Sequence, residues 1–189
     1  MRTTMLVVCS LAFALCAGTA LAQAPPADTL KVDYFANAHT AGAPDPTVRL
    51  TNPNTSGGNI CADIFVFDPY QELSECCSCF LSPDGLREIY VGPDLTSNPL
   101  TGVILNTGAI KIVSAKLTSG TCPLPTSINP IPAVRAWVTH IQDSSFAETE
   151  TAASDATLSA NELSALDIQC YAIGLVGSGK GVCSCGTGD

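Results

Sequence analysis

Apolar and polar positions alternate in short bursts over residues 29–151, and a longer apolar period sets in only after residue 155. The bursts of strand formers fall at residues 29–36, 47–51, 60–67, 86–91, 103–105, 109–115, 134–141 and 146–151, separated by turn formers such as Asn52-Pro53 and Pro83-Asp84-Gly85. Residues 60–67 (I-C-A-D-I-F-V-F) are the most apolar run, interrupted only by Asp63, which predicts a central strand. Asp68-Pro69 reads as an N-cap followed by proline at the first helical position, so a short helical turn to about Glu75 is expected to deliver Cys76, Cys77 and Cys79. Asn106-Thr107-Gly108 reads as a hairpin loop between residues 103–105 and 109–115, with Gly108 supplying a positive φ. Residues 92–101 read as a loop, and residues 120–132, with four prolines, as irregular chain or a sheet edge.

Beyond residue 155 the period becomes helical. Ser159 and Glu162 fit a capping box. Leu163, Leu166, Cys170 and Ile173 then recur on one face, predicting a helix over about residues 160–176 that Gly174 or Gly177 ends. No repeat of fixed period occurs. About seven short strands at spacings of about ten residues predict a mainly β fold, an antiparallel β-sandwich with one C-terminal α-helix.

The first residues follow a different logic. A short basic start, an apolar run over residues 5–17 and Ala20-Leu21-Ala22 have the layout of a secretory signal peptide, residues 1–22, cleaved before Gln23. The run is too short to span a bilayer, so no membrane span is expected. Residues 23–28 read as a flexible lead, and residues 29–189 as a single domain with a Cys-containing tail. Removing residues 1–22 takes away Cys9, Cys16 and Arg2. It leaves eight cysteines, and seven Lys+Arg against seventeen Asp+Glu. Such an acidic chain cannot assemble a phosphate-neutralising patch, so nucleic acid is not an expected partner.

An even cysteine count in an exported chain predicts disulfides. Adjacent cysteines seldom bond to each other. Four disulfides are therefore expected among Cys61, Cys76, Cys77, Cys79, Cys122, Cys170, Cys183 and Cys185, with the Cys76–Cys79 cluster as a hub and the tail stapled to the domain. The connectivity stays open. A thiolate metal site and a redox Cys76–Cys79 pair are the competing readings. The cluster lacks paired C-x-x-C knuckles and a thioredoxin-like strand–helix context, which argues against both.

Other chemistry is thinly supported. G-L-V-G-S-G-K-G (174–181) departs from a phosphate loop at Gly181, where a hydroxyl residue is needed. His39 and His140 read as structural. Glu148 and Glu150 share a strand face; paired carboxylates can serve glycoside hydrolysis, but any acidic solvent-facing strand shows the same pattern. Asp63 needs a buried partner, with Arg87 or Arg135 expected to supply an ion pair. Asp68, Glu72 and Glu75 are a loose calcium candidate, and Asn54-Thr55-Ser56 is a glycosylation sequon. Tyr34, Tyr70, Tyr90, Trp137 and Tyr171 are scattered rather than grouped into an aromatic platform. No catalytic, cofactor-binding or metal-binding residue is assigned.

The segments C-A-D-I-F-V-F-D (61–68), Q-E-L-S-E-C-C-S-C (71–79) and P-D-G-L (83–86), with G-S-G-K-G-V-C-S-C (177–185), resemble a group of uncharacterised secreted bacterial Cys-rich proteins over roughly residues 60–185. The resemblance implies a bacterial exported protein and brings no activity with it. The expectation is a non-enzymatic extracellular or cell-surface structural module, without cofactor, able to self-associate by donating the strand at residues 30–35. A carbohydrate- or Ca²⁺-binding module is the second expectation, and a hydrolase using Asp/Glu the third.

Overall fold

The computed structural model describes residues 28–142 and 145–186. The signal peptide expected at residues 1–22 and most of the lead at 23–28 lie outside the described residues. Among the described residues nine strands form two antiparallel sheets that pack face to face, with one α-helix on the outside and a single π-helical turn at Val91–Leu95. They are β1 Leu30–Phe35, β2 Thr47–Thr51, β3 Ile60–Phe67, β4 Leu73–Leu81, β5 Leu86–Tyr90, β6 Gly108–Ala115, β7 Arg135–Ile141, β8 Glu148–Ala152 and β9 Ser154–Asp155, followed by α1 Ala160–Val176. The first sheet has the order β4-β3-β6-β1-β9 and the second β5-β2-β7-β8. Among the described residues no helix is long and apolar enough to cross a membrane.

All eight residues of β3 are buried because both of its faces are covered. Ile60, Ala62, Ile64 and Val66 enter the core between the sheets with Val48, Leu50, Ile110 and Val138. Phe65 and Phe67 point the other way, into a second core with Leu30 and Val113 under Leu166, Cys170 and Ile173 of α1. This explains an apolar run without alternation in an antiparallel sheet: α1 makes the outer face an interior. Ser159 caps α1 by accepting the Glu162 N–H at 3.1 Å, and the Lys111 ammonium holds the Glu162 side chain.

Several expectations differ from the structure, among them the loop at residues 92–101, whose start lies in the π-helical turn Val91–Leu95. The segment after Asp68 is a turn, not a helix. The Asp68 carboxylate accepts the N–H groups of Tyr70 and Glu72, and Gln71 takes φ 70°, which turns the chain back into β4. The cysteine cluster therefore lies on a strand. Residues 103–105 form no strand, because β6 is already flanked by β3 and β1; Val103 and Ile104 are exposed. Gly108 does not have positive φ. A Cβ there would sit 2.3 Å from the Phe67 carbonyl oxygen and 2.9 Å from the Phe35 ring, so close packing demands the glycine. Finally, β1 is paired along its whole length with β6 and partly with β9, so it is not free for donation. Asp28, the last residue of the expected lead, is fixed too: its carboxylate meets Lys31 and its carbonyl accepts from Ala133 and Val134.

Candidate functional site

Strand geometry explains the cysteine spacing. Successive side chains on β4 alternate faces. Cys76 points outward and bonds Cys170 of α1, while Cys77 and Cys79 share the opposite face and bond Cys183 and Cys185. The last two bonds have the same sequence separation, 106, because the tail runs parallel to β4 in register. Cys76 N–H donates to Gly181 O at 2.8 Å, and Cys183 N–H donates to Cys76 O at 3.2 Å. The tail thereby occupies the open edge of β4, which would otherwise present unpaired backbone groups. Matching C-x-C spacings in two extended segments were a readable sign of such a ladder once both segments are strands. The fourth bond, Cys61–Cys122, holds the proline-rich segment over the outer face of β3.

These pairings decide the competing cysteine readings. The sulfurs of Cys77, Cys79 and Cys185 lie within 4.8 Å of one another, but each is already in a disulfide and offers no thiolate to a metal. Cys76 and Cys79 bond different partners, so they form no redox pair with each other.

Two carboxylic acids lie against this sulfur-braced wall. Asp63 has no arginine partner, contrary to expectation. Strand alternation turns it to the outer face of β3, where the Ser78 hydroxyl of the neighbouring strand donates to it at 2.5 Å. Arg87 instead donates to the Cys185 carbonyl, and Arg135 lies near Asp28. Burial pushes the Asp63 carboxyl up to about 7, with the Ser78 bond opposing and Asp167 adding to the rise. Glu75 is fully buried. One oxygen accepts the Asn98 N–H at 3.0 Å, and the other has no hydrogen-bond partner. Burial pushes it up to about 7 as well, against the Asn98 bond and the Lys180 charge. Asn98 clamps the tail through Gly179 O and Val182 O, so Glu75 sits at the junction of tail and body.

A broad open groove of 720 Å³ crosses the seam where β1 of one sheet meets β7 and β8 of the other. Tyr34 and His140 stack with centroids 4.4 Å apart, and the Tyr34 ring is exposed on its other side. His140 Nε2 lies 2.9 Å from the Thr151 hydroxyl and 3.4 Å from the Asp33 carboxylate, while Nδ1 is buried without a partner. Burial raises the Asp33 carboxyl above the usual aspartate range, with the Tyr34 N–H and His140 opposing. Gln142, Thr149 and Ser154 add to the polar lining.

The remaining candidates do not converge. Among the described residues Asp33 is the single carboxylate lining this groove; Glu150 is turned to the other face of β8 and bonds Arg49 at 2.8 Å, and Glu148 is exposed. Asp68 is spent on its turn and Glu75 is buried elsewhere, and among the described residues Asp68, Glu72 and Glu75 form no group with ligand atoms close together. His39 contacts the Thr96 hydroxyl at 2.8 Å. The glycine-rich stretch follows the C-terminus of α1 and leads into the tail ladder. Tyr70, Tyr90 and Tyr171 are exposed, while Trp137 is half-buried. No protein-family model, curated protein or solved structure matches the chain.

Proposed function

We propose that this chain is a secreted bacterial structural module, a rigid non-enzymatic part of an extracellular or cell-surface assembly. The observation that carries the reading is the convergence of three disulfides on one strand, which fixes both α1 and the tail to the sheet edge. Each such bond limits the unfolded chain and contributes about 2–5 kcal/mol, which is large beside a domain's net stability. Disulfides at this density persist only outside the reducing cytoplasm, and the signal-like segment at residues 1–22 agrees with that route. The strand-rich, cross-linked interior resists proteolysis because it offers little locally unfolded backbone. The test is cell fractionation with N-terminal sequencing and thiol counting. Recovery outside the cytoplasm, beginning at Gln23 and with no free thiol, supports the reading. Cytoplasmic retention with reduced thiols overturns it.

A second reading rests on the groove. An exposed tyrosine ring backed by His140, with Thr151, Gln142 and Asp33 at its border, suits a sugar: the ring takes the apolar C–H face and the polar groups take hydroxyls. Titration with soluble oligosaccharides, read at the Tyr34 and His140 NMR signals, tests it. Chemical-shift changes that vanish in Tyr34→Ala support binding, and an unresponsive groove excludes it.

A further inference from the structure

The helix α1 carries two apolar seams. Leu163, Leu166, Cys170 and Ile173 follow the 3-4-3 spacing, and the last three are buried against the domain while Leu163 is half-buried. Ala165, Ile168, Ala172 and Leu175 follow the same spacing, displaced by two residues, about 200° around the helix. Ile168 and Leu175 are each 64% exposed, and Ala165 and Ala172 are exposed as well, Ala165 at the rim of a groove it shares with Asp68, Lys111 and Glu162. Tyr171 and Val176 flank the seam at 54% and 71% exposure. A helix at the surface of one domain normally shows a polar outer face, whereas on the outer side of α1 only Asn161, Ser164 and Gln169 interrupt the apolar surface. The disulfide from Cys170 fixes this helix rigidly, so the outer seam cannot turn inward.

We propose that this outer seam is a homotypic interface in which α1 of a second copy of the chain packs antiparallel. The proposal deepens the assembly reading above and rests on it. Self-complementarity identifies the occupant. A two-fold axis passing beside Cys170 sets Ala165 of one copy against Leu175 of the other, and Ile168 against Ala172. Every large residue then meets a small one, both at the same time, as an isologous contact requires. The alanines let the helix axes approach to about 8–9 Å. Charge agrees. The protein has a net charge of -9, so most faces of two copies repel, yet the outer arc of α1 from Asn161 to Val176 bears no charged side chain. Glu162 and Asp167 lie beyond that arc, the first on Lys111 and the second accepting the Ile128 N–H. A contact between one helix of each copy falls at the small end of specific interfaces, so the dimer is concentration-dependent.

Sedimentation equilibrium of the purified oxidised protein tests this, with Ile168→Glu and Ala172→Leu as variants. The first places a charge in the seam and the second fills the hole that receives Ile168. Both residues are exposed, so the melting temperature should hold. The expected result is a monomer–dimer equilibrium in the micromolar range that either variant weakens by at least about tenfold, or about 1.4 kcal/mol. A dimer of unchanged strength in both variants overturns the seam but leaves assembly standing through another surface. A wild-type monomer at every concentration up to millimolar overturns the seam outright, while extracellular location and oxidised thiols still test the module reading separately.

Discussion

Neutralising Asp63 should stabilise the protein at slightly alkaline pH and flatten its pH dependence. The folded state holds this carboxyl at about 7 against an ordinary 3.8, and Glu75 at about 7 against 4.5. Between those limits the folded protein keeps a proton that the unfolded chain has released. The slope of unfolding free energy with pH is therefore negative. The stabilisation is complete below the unfolded values and disappears as pH rises through about 7. At about 1.4 kcal/mol per pH unit, Asp63 corresponds to about 4 kcal/mol and Glu75 to about 3 kcal/mol as upper bounds. Relaxation and water entry reduce the observable part to a few kcal/mol in total. Asp33, Asp45 and Asp167 are also raised, chiefly by burial, and act in the same direction. Asp155 is lowered: burial opposes, but the Lys31 bond and the Asp28 N–H outweigh it, and its contribution is lost only as pH falls below the aspartate range. Asp63→Asn keeps an oxygen for the Ser78 hydroxyl and removes the charge. The assay is denaturant unfolding at several pH values under non-reducing conditions, followed by the fluorescence of the single tryptophan, Trp137. Wild-type stability should fall from about pH 4 to about pH 8, and the variant should lose about half of that fall. A flat or rising wild-type profile, or an equal fall in the variant, would refute the reasoning.

Three further outcomes follow from named contacts. Gly108→Ala drives a methyl against the Phe67 carbonyl and should cost at least about 2 kcal/mol in chemical denaturation, where a neutral result would show that β6 can move aside. Ser159→Ala removes the cap on the Glu162 N–H and should cost about 1 kcal/mol by the same measurement. Replacing Cys61 and Cys122 together by serine should cost about 3–4 kcal/mol. Because Cys61 and Asp63 line the same recess under the proline-rich segment, it should also hydrate Asp63, lower its titration midpoint by NMR and shrink the pH slope.

Local chemistry made some parts of this fold readable and left others hidden. The central place of β3 followed from its apolar run, and α1 from Ser159 and its inward seam, because each signal lies within one element. The strand nature of residues 73–81 was masked by Asp68-Pro69, which start a helix as readily as a turn; the choice is made by pairing with β3, a contact between segments. Gly108 looked like a turn glycine because its real constraint, the Phe67 carbonyl, is remote in sequence. The seam groove stayed hidden because Tyr34 and His140 are far apart along the chain and meet only when the two sheets pack. Asp63 drew notice as a polar residue in an apolar strand, but the expected arginine was wrong. Its partner, Ser78, is set by strand register, which composition does not reveal.

The cross-linked edge is tested most directly by peptide mapping of the native protein with its thiols blocked before digestion. The expected map contains the four linkages Cys61–Cys122, Cys76–Cys170, Cys77–Cys183 and Cys79–Cys185, and no alkylated cysteine among these eight. Alkylated thiols in β4, or a tail joined to any other cysteine, would contradict it.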